Sequence, residues 1–121
     1  MTITFAAGRV AELLSIYRRA ALQEAAASAI CDFRTSTRER AIVGKAYREL
    51  RAHGPEATAC LLDLLADQHP QVRVQAATHA LDFAPAKGEE ILAELAVMGG
   101  PVGTTAELAL KDWRAGAAQR P

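Results

Sequence analysis

The sequence predicts an all-α fold, a short α-solenoid of about six helices in three antiparallel pairs. Three observations predict it. Apolar residues recur at i, i+3, i+4 and i+7 over most of the chain. Alanine dominates a composition that is half apolar but only 5% aromatic, and alanine is the best helix former. No stretch alternates apolar and polar residues as a half-buried strand would, and β-branched residues are few.

The stretch from Cys60 to Leu81 organises the chain. Leu61, Leu62, Leu64 and Leu65 make one apolar face, interrupted by Asp63. Val72, Ala76, Ala77, Ala80 and Leu81 make a second stripe at helical spacing. Pro70 suits the first turn of the second helix, where a missing N–H is no loss.

In chain order, residues 1–6 read as a frayed end or a short extended lead. A first helix is predicted over about 7–29, with Val10, Leu13, Leu14, Tyr17, Ala21 and Ala25 inward and Arg18, Arg19 and Glu24 outward. Residues 31–37 read as a loop. Ser36 or Thr37 then caps a second helix, because Ser36 and Glu39 stand at capping-box spacing. This helix runs to about His53, with Ala41, Ile42, Ala46, Tyr47 and Leu50 inward.

Gly54 and Pro55 stand in the order of a helix stop and a helix start. A third helix is predicted over about 55–66 and a fourth over about 70–83. Pro85 starts a fifth, with Ile91, Leu92, Leu95, Ala96 and Met98 apolar; Gly88 near its start weakens it locally. Gly99 and Gly100 stop that helix. A sixth is predicted from Thr104 or Thr105 to Arg114, carrying Ala106, Leu108, Ala109, Leu110 and Trp113, with Gly116 as its end and 117–121 as a disordered tail.

A degenerate repeat links the pairs. A shift of 33 residues aligns Leu62 with Leu95, Leu65 with Met98, Ala76 with Ala109 and Ala77 with Leu110. A shift of 30 aligns Val72, Ala76 and Ala80 with Ile42, Ala46 and Leu50. Helix pairs recurring at such a period bury their apolar faces by stacking on one another.

The segment Leu61–Leu81 resembles a HEAT repeat: a Leu-rich helix, Asp67 at the turn, Pro70, then Val72-Arg73 and Ala76-Ala77. The resemblance implies a bridge between Asp67 and Arg73. In the last repeat Gly100 and Ala106 stand at those two places, so no ladder of such pairs is expected. The whole chain also resembles a family of small bacterial proteins of unknown function. Its marks here are a long first helix, Glu49-Leu50-Arg51, a Leu-rich helix, a Val-Arg helix with His79, and a Gly-Pro turn leading to Trp113. That resemblance implies a compact helical domain, read as one domain over 1–121, and brings no established activity.

Composition narrows the function classes. Formal net charge is zero, so no global field favours nucleic acid or an anionic membrane. No apolar run reaches the roughly 18 residues of a membrane span, and the first residues lack the basic and apolar regions of a signal peptide. Cys31 and Cys60 form no CxxC pair and are read as structural, buried or half-buried thiols, reduced in a cytoplasm.

Chemistry-bearing motifs are sparse. His53, His69 and His79 are the only histidines, and no H-x-x-x-H or E-x-x-H pattern occurs. His79 and Asp82, three apart, could share a hydrogen bond, but no nucleophile is placed beside them by sequence. Residues 99–103 are Gly-rich before a helix, yet lack the Lys-Ser/Thr of a phosphate loop. No catalytic residue, cofactor or metal is therefore expected.

Charge is uneven. Residues 1–53 carry nine Lys/Arg against five Asp/Glu, and residues 54–121 carry five against nine. Within 34–51 lie Arg34, Arg38, Arg40, Lys45, Arg48 and Arg51, against two acids; Tyr47 is the one aromatic among them, and no aromatic interleaving supports base stacking.

The functional expectation is a non-catalytic interaction domain with an unknown protein or peptide partner, one form of which is an immunity-type inhibitor of a toxin. Its expected face is drawn from the second helix of each pair: Arg48, Arg73, Gln75, His79, Asp82 and Lys111. The alternative is a nucleic-acid-binding HEAT-like domain that uses the basic second helix, although nucleic acid and membrane are not the expected partners. The chain is expected as a monomer or weak homodimer.

Overall fold

A computed structural model describes residues 7–118. The all-α expectation holds: every element is helical, and no strand occurs among the described residues. The elements are α1 (Ala7–Ala29), α2 (Phe33–Ala52), α3 (Pro55–Ala59), a 3-10 helix (Cys60–Ala66), α4 (Pro70–Ala80), α5 (Pro85–Ala96) and α6 (Gly100–Ala118). The chain divides into two compact units, one ending at Asp63 and one beginning at Leu64. The lead 1–6 lies outside the described residues.

In the first unit α1 and α2 form an antiparallel hairpin. Val10, Leu13, Tyr17, Ala20, Ala21 and Ala27 of α1 are buried, as are Val43, Ala46, Tyr47 and Leu50 of α2. Salt bridges close the hairpin toward both ends. Arg9 Nε and Nη2 meet Glu49 at 2.7 and 2.9 Å, and Arg40 Nη2 meets Glu24 at 3.1 Å.

The turn between them is tighter than the expected loop over 31–37. Asp32 N–H donates to Ala27 O at 2.8 Å and Cys31 N–H to Ser28 O at 3.0 Å, a Schellman closure with Cys31 at φ 60°. Asp32 then caps α2, its Oδ1 accepting from Thr35 N at 3.2 Å. Ser36 and Glu39 are instead buried within the helix, so the capping-box expectation was misplaced by one turn. Val43 is buried and Ala41 exposed, which corrects the inward set of α2.

After α2, Gly54 adopts φ 106°, a conformation open to glycine, and Pro55 opens α3. The buried Thr58 hydroxyl donates to Gly54 O at 2.9 Å. The predicted third helix is therefore a single α-turn continued as a 3-10 helix, not one α-helix over 55–66.

In the second unit α5 packs on both α4 and α6, and α4 also meets α6. Its buried side chains are Leu64, Leu65, Val72, Val74, Ala76, Ala77, Ala80, Leu81, Leu92, Leu95, Ala106 and Leu110. Gly88, expected to weaken α5, is what lets α5 approach α4. A Cβ there would stand 2.8 Å from Ala77 O and 3.0 Å from Leu81 N. Helix α4 ends at Ala80, shorter than the expected 70–83.

Helix α6 begins at Gly100-Pro101 rather than at Thr104 or Thr105, and runs through Gly116 to Ala118. Its early start fits the proline, whose fixed φ suits a first helical turn. Of the expected tail, Ala117 and Ala118 are helical and 119–121 lie outside the described residues.

Candidate functional site

The expected face splits between the two units. Arg48 lies on α2 of the first; Arg73, Gln75, His79, Asp82 and Lys111 belong to the second. Arg48, Asp82 and Lys111 are exposed, whereas Arg73, Gln75 and His79 are half-buried.

Asp67 and Arg73 are joined through the main chain. Arg73 Nη1 donates to the Asp67 backbone carbonyl at 2.6 Å, while Asp67 Oδ1 accepts from His69 N at 2.9 Å. The carboxylate thus shapes the turn before Pro70, and the guanidinium holds the carbonyl left free where the 3-10 helix ends. His69 serves as the backbone N-cap of α4, its carbonyl accepting from Val72 and Arg73.

His79 sits late in α4. Burial holds its imidazole down to about 4, against the pull of the Asp82 carboxylate, which favours the charged form. It is therefore neutral near pH 7 and too weak a base to match a proton transfer there. Asp82 itself is exposed just beyond the helix end. Among the described residues no three His, Cys, Asp or Glu side chains converge as a metal site.

Among the described residues, two open grooves bear on the surfaces. One lies at the tip of the α1–α2 hairpin, with a volume of about 360 Å³, and is lined by Ala26, Ala27, Ile30, Asp32, Arg38 and Glu39 among others. Beside it Ile30 is 76% exposed and Phe33 65%. The other runs between α5 and α6, about 710 Å³, with Ala93, Ala96, Leu108 and Leu110 along it and Glu107, Lys111 and Arg114 at its rim. Leu108, Met98 and Val97 are 55, 54 and 87% exposed.

Of the residues on these grooves, only Lys111 belonged to the expected face. Periodicity places Leu108 and Met98 in the apolar sets of their helices. Their exposure was hidden because a short Ala-rich helix shows apolar residues on more than one side, and periodicity alone does not say which side is covered. Phe33 was hidden because 31–37 read as a polar loop, and Ile30 because it falls between that loop and the helix predicted to end at 29.

Cys60 is half-buried, its Sγ donating to Glu56 O at 3.4 Å, but Cys31 is exposed at the hairpin turn, contrary to the expected structural burial. Both thiols are free. No described helix is long and apolar enough to cross a membrane.

These features define a small all-α protein with exposed apolar and charged helix faces. It is similar in fold to the crystal structure of the protein RPA1889 from the bacterium Rhodopseudomonas palustris CGA009, with a TM-score of 0.83 over 93% of each chain at 23% identity. No family model matches the chain, and no curated protein matches it.

Proposed function

We propose that this chain is a non-catalytic helical-repeat interaction module of HEAT-like type that binds a protein or peptide partner. The observation that carries the reading is the α5–α6 groove. Its apolar floor of Ala93, Ala96, Leu108 and Leu110 is rimmed by Glu107, Lys111 and Arg114, and Leu108 stands more than half exposed beside it. An apolar centre with a charged rim is the anatomy of a protein-binding patch. The paired helices and the Asp67–Arg73 turn link support the repeat reading. An immunity-type inhibitor is one form such a module takes.

The test is affinity purification from cells of the source organism with Leu108→Asp and, as a control, Ser15→Asp at an exposed position of α1 beside the wild type. The reading predicts a stoichiometric protein partner that Leu108→Asp loses and Ser15→Asp keeps. Equal recovery with Leu108→Asp, or equal loss with both variants, would contradict it.

A further inference from the structure

The outward face of α2 is a second surface, and its chemistry names an occupant. At about 100° per residue, Arg34, Arg38, Ala41, Lys45, Arg48 and Ala52 fall within about 40° of one line down the helix. All six are exposed. That line is opposite Val43, Ala46, Tyr47 and Leu50, the buried side. The stripe therefore holds four cations, two alanines and no acid, over about 27 Å of helix at about 1.5 Å per residue, its cations within about the first 21 Å. Arg34 and Arg48 have no ion-pair partner among the described residues; Arg38 faces the carboxylate of Glu39 at 3.6 Å. Lys45 is near enough to Glu49 to help lower its carboxyl.

The stripe runs into the hairpin-tip groove. Arg38 belongs to both, and across the groove from it stand Ala26, Ala27 and the exposed Ile30. A basic track that ends in a groove holding Ala26, Ala27 and Ile30 beside the carboxylates of Asp32 and Glu39 is not what a phosphate backbone needs. The first unit as a whole, residues 1–63, carries nine Lys/Arg against seven Asp/Glu, a weak field for a polyanion. Glu49 stands at the edge of the track, and the exposed Ala41 and Ala52 leave room for another helix to lie close.

We infer that the α2 stripe and the Ile30 groove together dock an acidic polypeptide segment, helical and carrying an apolar anchor at one end. Its carboxylates lie along Arg34, Arg38, Lys45 and Arg48, and its anchor side chain enters beside Ile30. Recognition by an amphipathic helix of complementary charge needs only these two elements. The inference rests on the interaction reading above but uses a different unit of the chain. Leu108-dependent binding that survives while the stripe fails would sink only the stripe.

The experiment is fluorescence anisotropy with the full chain. The probe is a labelled 18-residue Glu/Ala helix ending in Leu-Leu. It is run beside its Glu→Gln form, its Leu→Ser form and a DNA duplex of 18 base pairs. The chain variants are Arg34→Gln/Lys45→Gln/Arg48→Gln combined, and Ile30→Ser, each with a thermal melt to show that the fold is intact. The acidic probe is expected to bind, and the triple variant to weaken it by at least about tenfold. Ile30→Ser is expected to weaken it about fivefold, with no further loss for the Leu→Ser probe. No binding, equal binding by the triple variant, or tighter binding of the duplex would each overturn the inference. So would sedimentation showing a dimer of the wild-type chain that the triple variant dissociates, since a second copy would then own the stripe.

Discussion

Arg9 grips both carboxylate oxygens of Glu49, forty positions away, through Nε at 2.7 Å and Nη2 at 2.9 Å. The pair ties the first helical turns of α1 to the end of α2, and the same Arg9 also reaches Glu12. The guanidinium holds the Glu49 carboxyl below its usual value of 4.5. A carboxyl lowered by folding stabilises above its unfolded value, and that contribution fades as pH falls through the lowered one. Glu49→Gln is therefore expected to lower the thermal midpoint at neutral pH. Its difference from the wild type should shrink both in acid and at high salt, where a half-exposed pair is screened. Thermal melts across pH and salt check this.

Gly88 and Gly44 are both inside helices, yet substitution by alanine should act in opposite directions. At Gly88 the new methyl meets backbone, Ala77 O at 2.8 Å and Leu81 N at 3.0 Å. Helices α4 and α5 must then part, and a loss of about 2 kcal/mol is expected, more than the alanine propensity restores. At Gly44 the methyl meets only the end of the Arg48 side chain at 3.3 Å, which can swing away. Gly44→Ala should gain about 0.5–1 kcal/mol. Denaturant midpoints of the two variants decide it.

Cys31 holds φ 60° in the turn that joins α1 to α2, where a side chain adds strain of about 1 kcal/mol. Cys31→Gly is expected to raise stability by about 0.5–1 kcal/mol, read as a higher urea midpoint. An unchanged or lower midpoint would show that the turn carries no such strain.

That turn also shows what the sequence did and did not reveal. The helices were legible because Val10, Leu13 and Tyr17, or Ala76, Ala77 and Ala80, repeat at helical spacing whatever their neighbours do. Boundaries depend on single hydrogen bonds. With no glycine at position 31 and a plausible Ser36–Glu39 box just beyond, nothing local singled out Asp32 as the cap. The 3-10 winding over Cys60–Ala66 left no mark either, because Leu61, Leu64 and Leu65 suit either winding. Of the surfaces, the basic run from Arg34 to Arg51 was visible as composition. Its ordering into one stripe needed the phase of α2, which the misplaced inward Ala41 had blurred.

His79 should make stability depend on pH. In the fold its imidazole titrates at about 4, against 6.5 for the free side chain. Between those values the unfolded chain binds more protons, so stability rises with pH. The contribution is complete above 6.5 and is lost as pH falls toward 4. Over that span the wild type should lose up to about 3 kcal/mol that His79→Leu does not lose. Urea midpoints of both proteins across this range provide the check.

The proposed function turns on exposed helix faces that recognise another polypeptide. Site-specific photo-crosslinking in cells tests it most directly, with the crosslinker placed at Leu108 and Phe33 and, as controls, at the exposed Ala11 and Ala59. Discrete protein adducts from positions 108 and 33, and none from the controls, are predicted. No adduct from either face, or the same adducts from all four positions, would contradict the account.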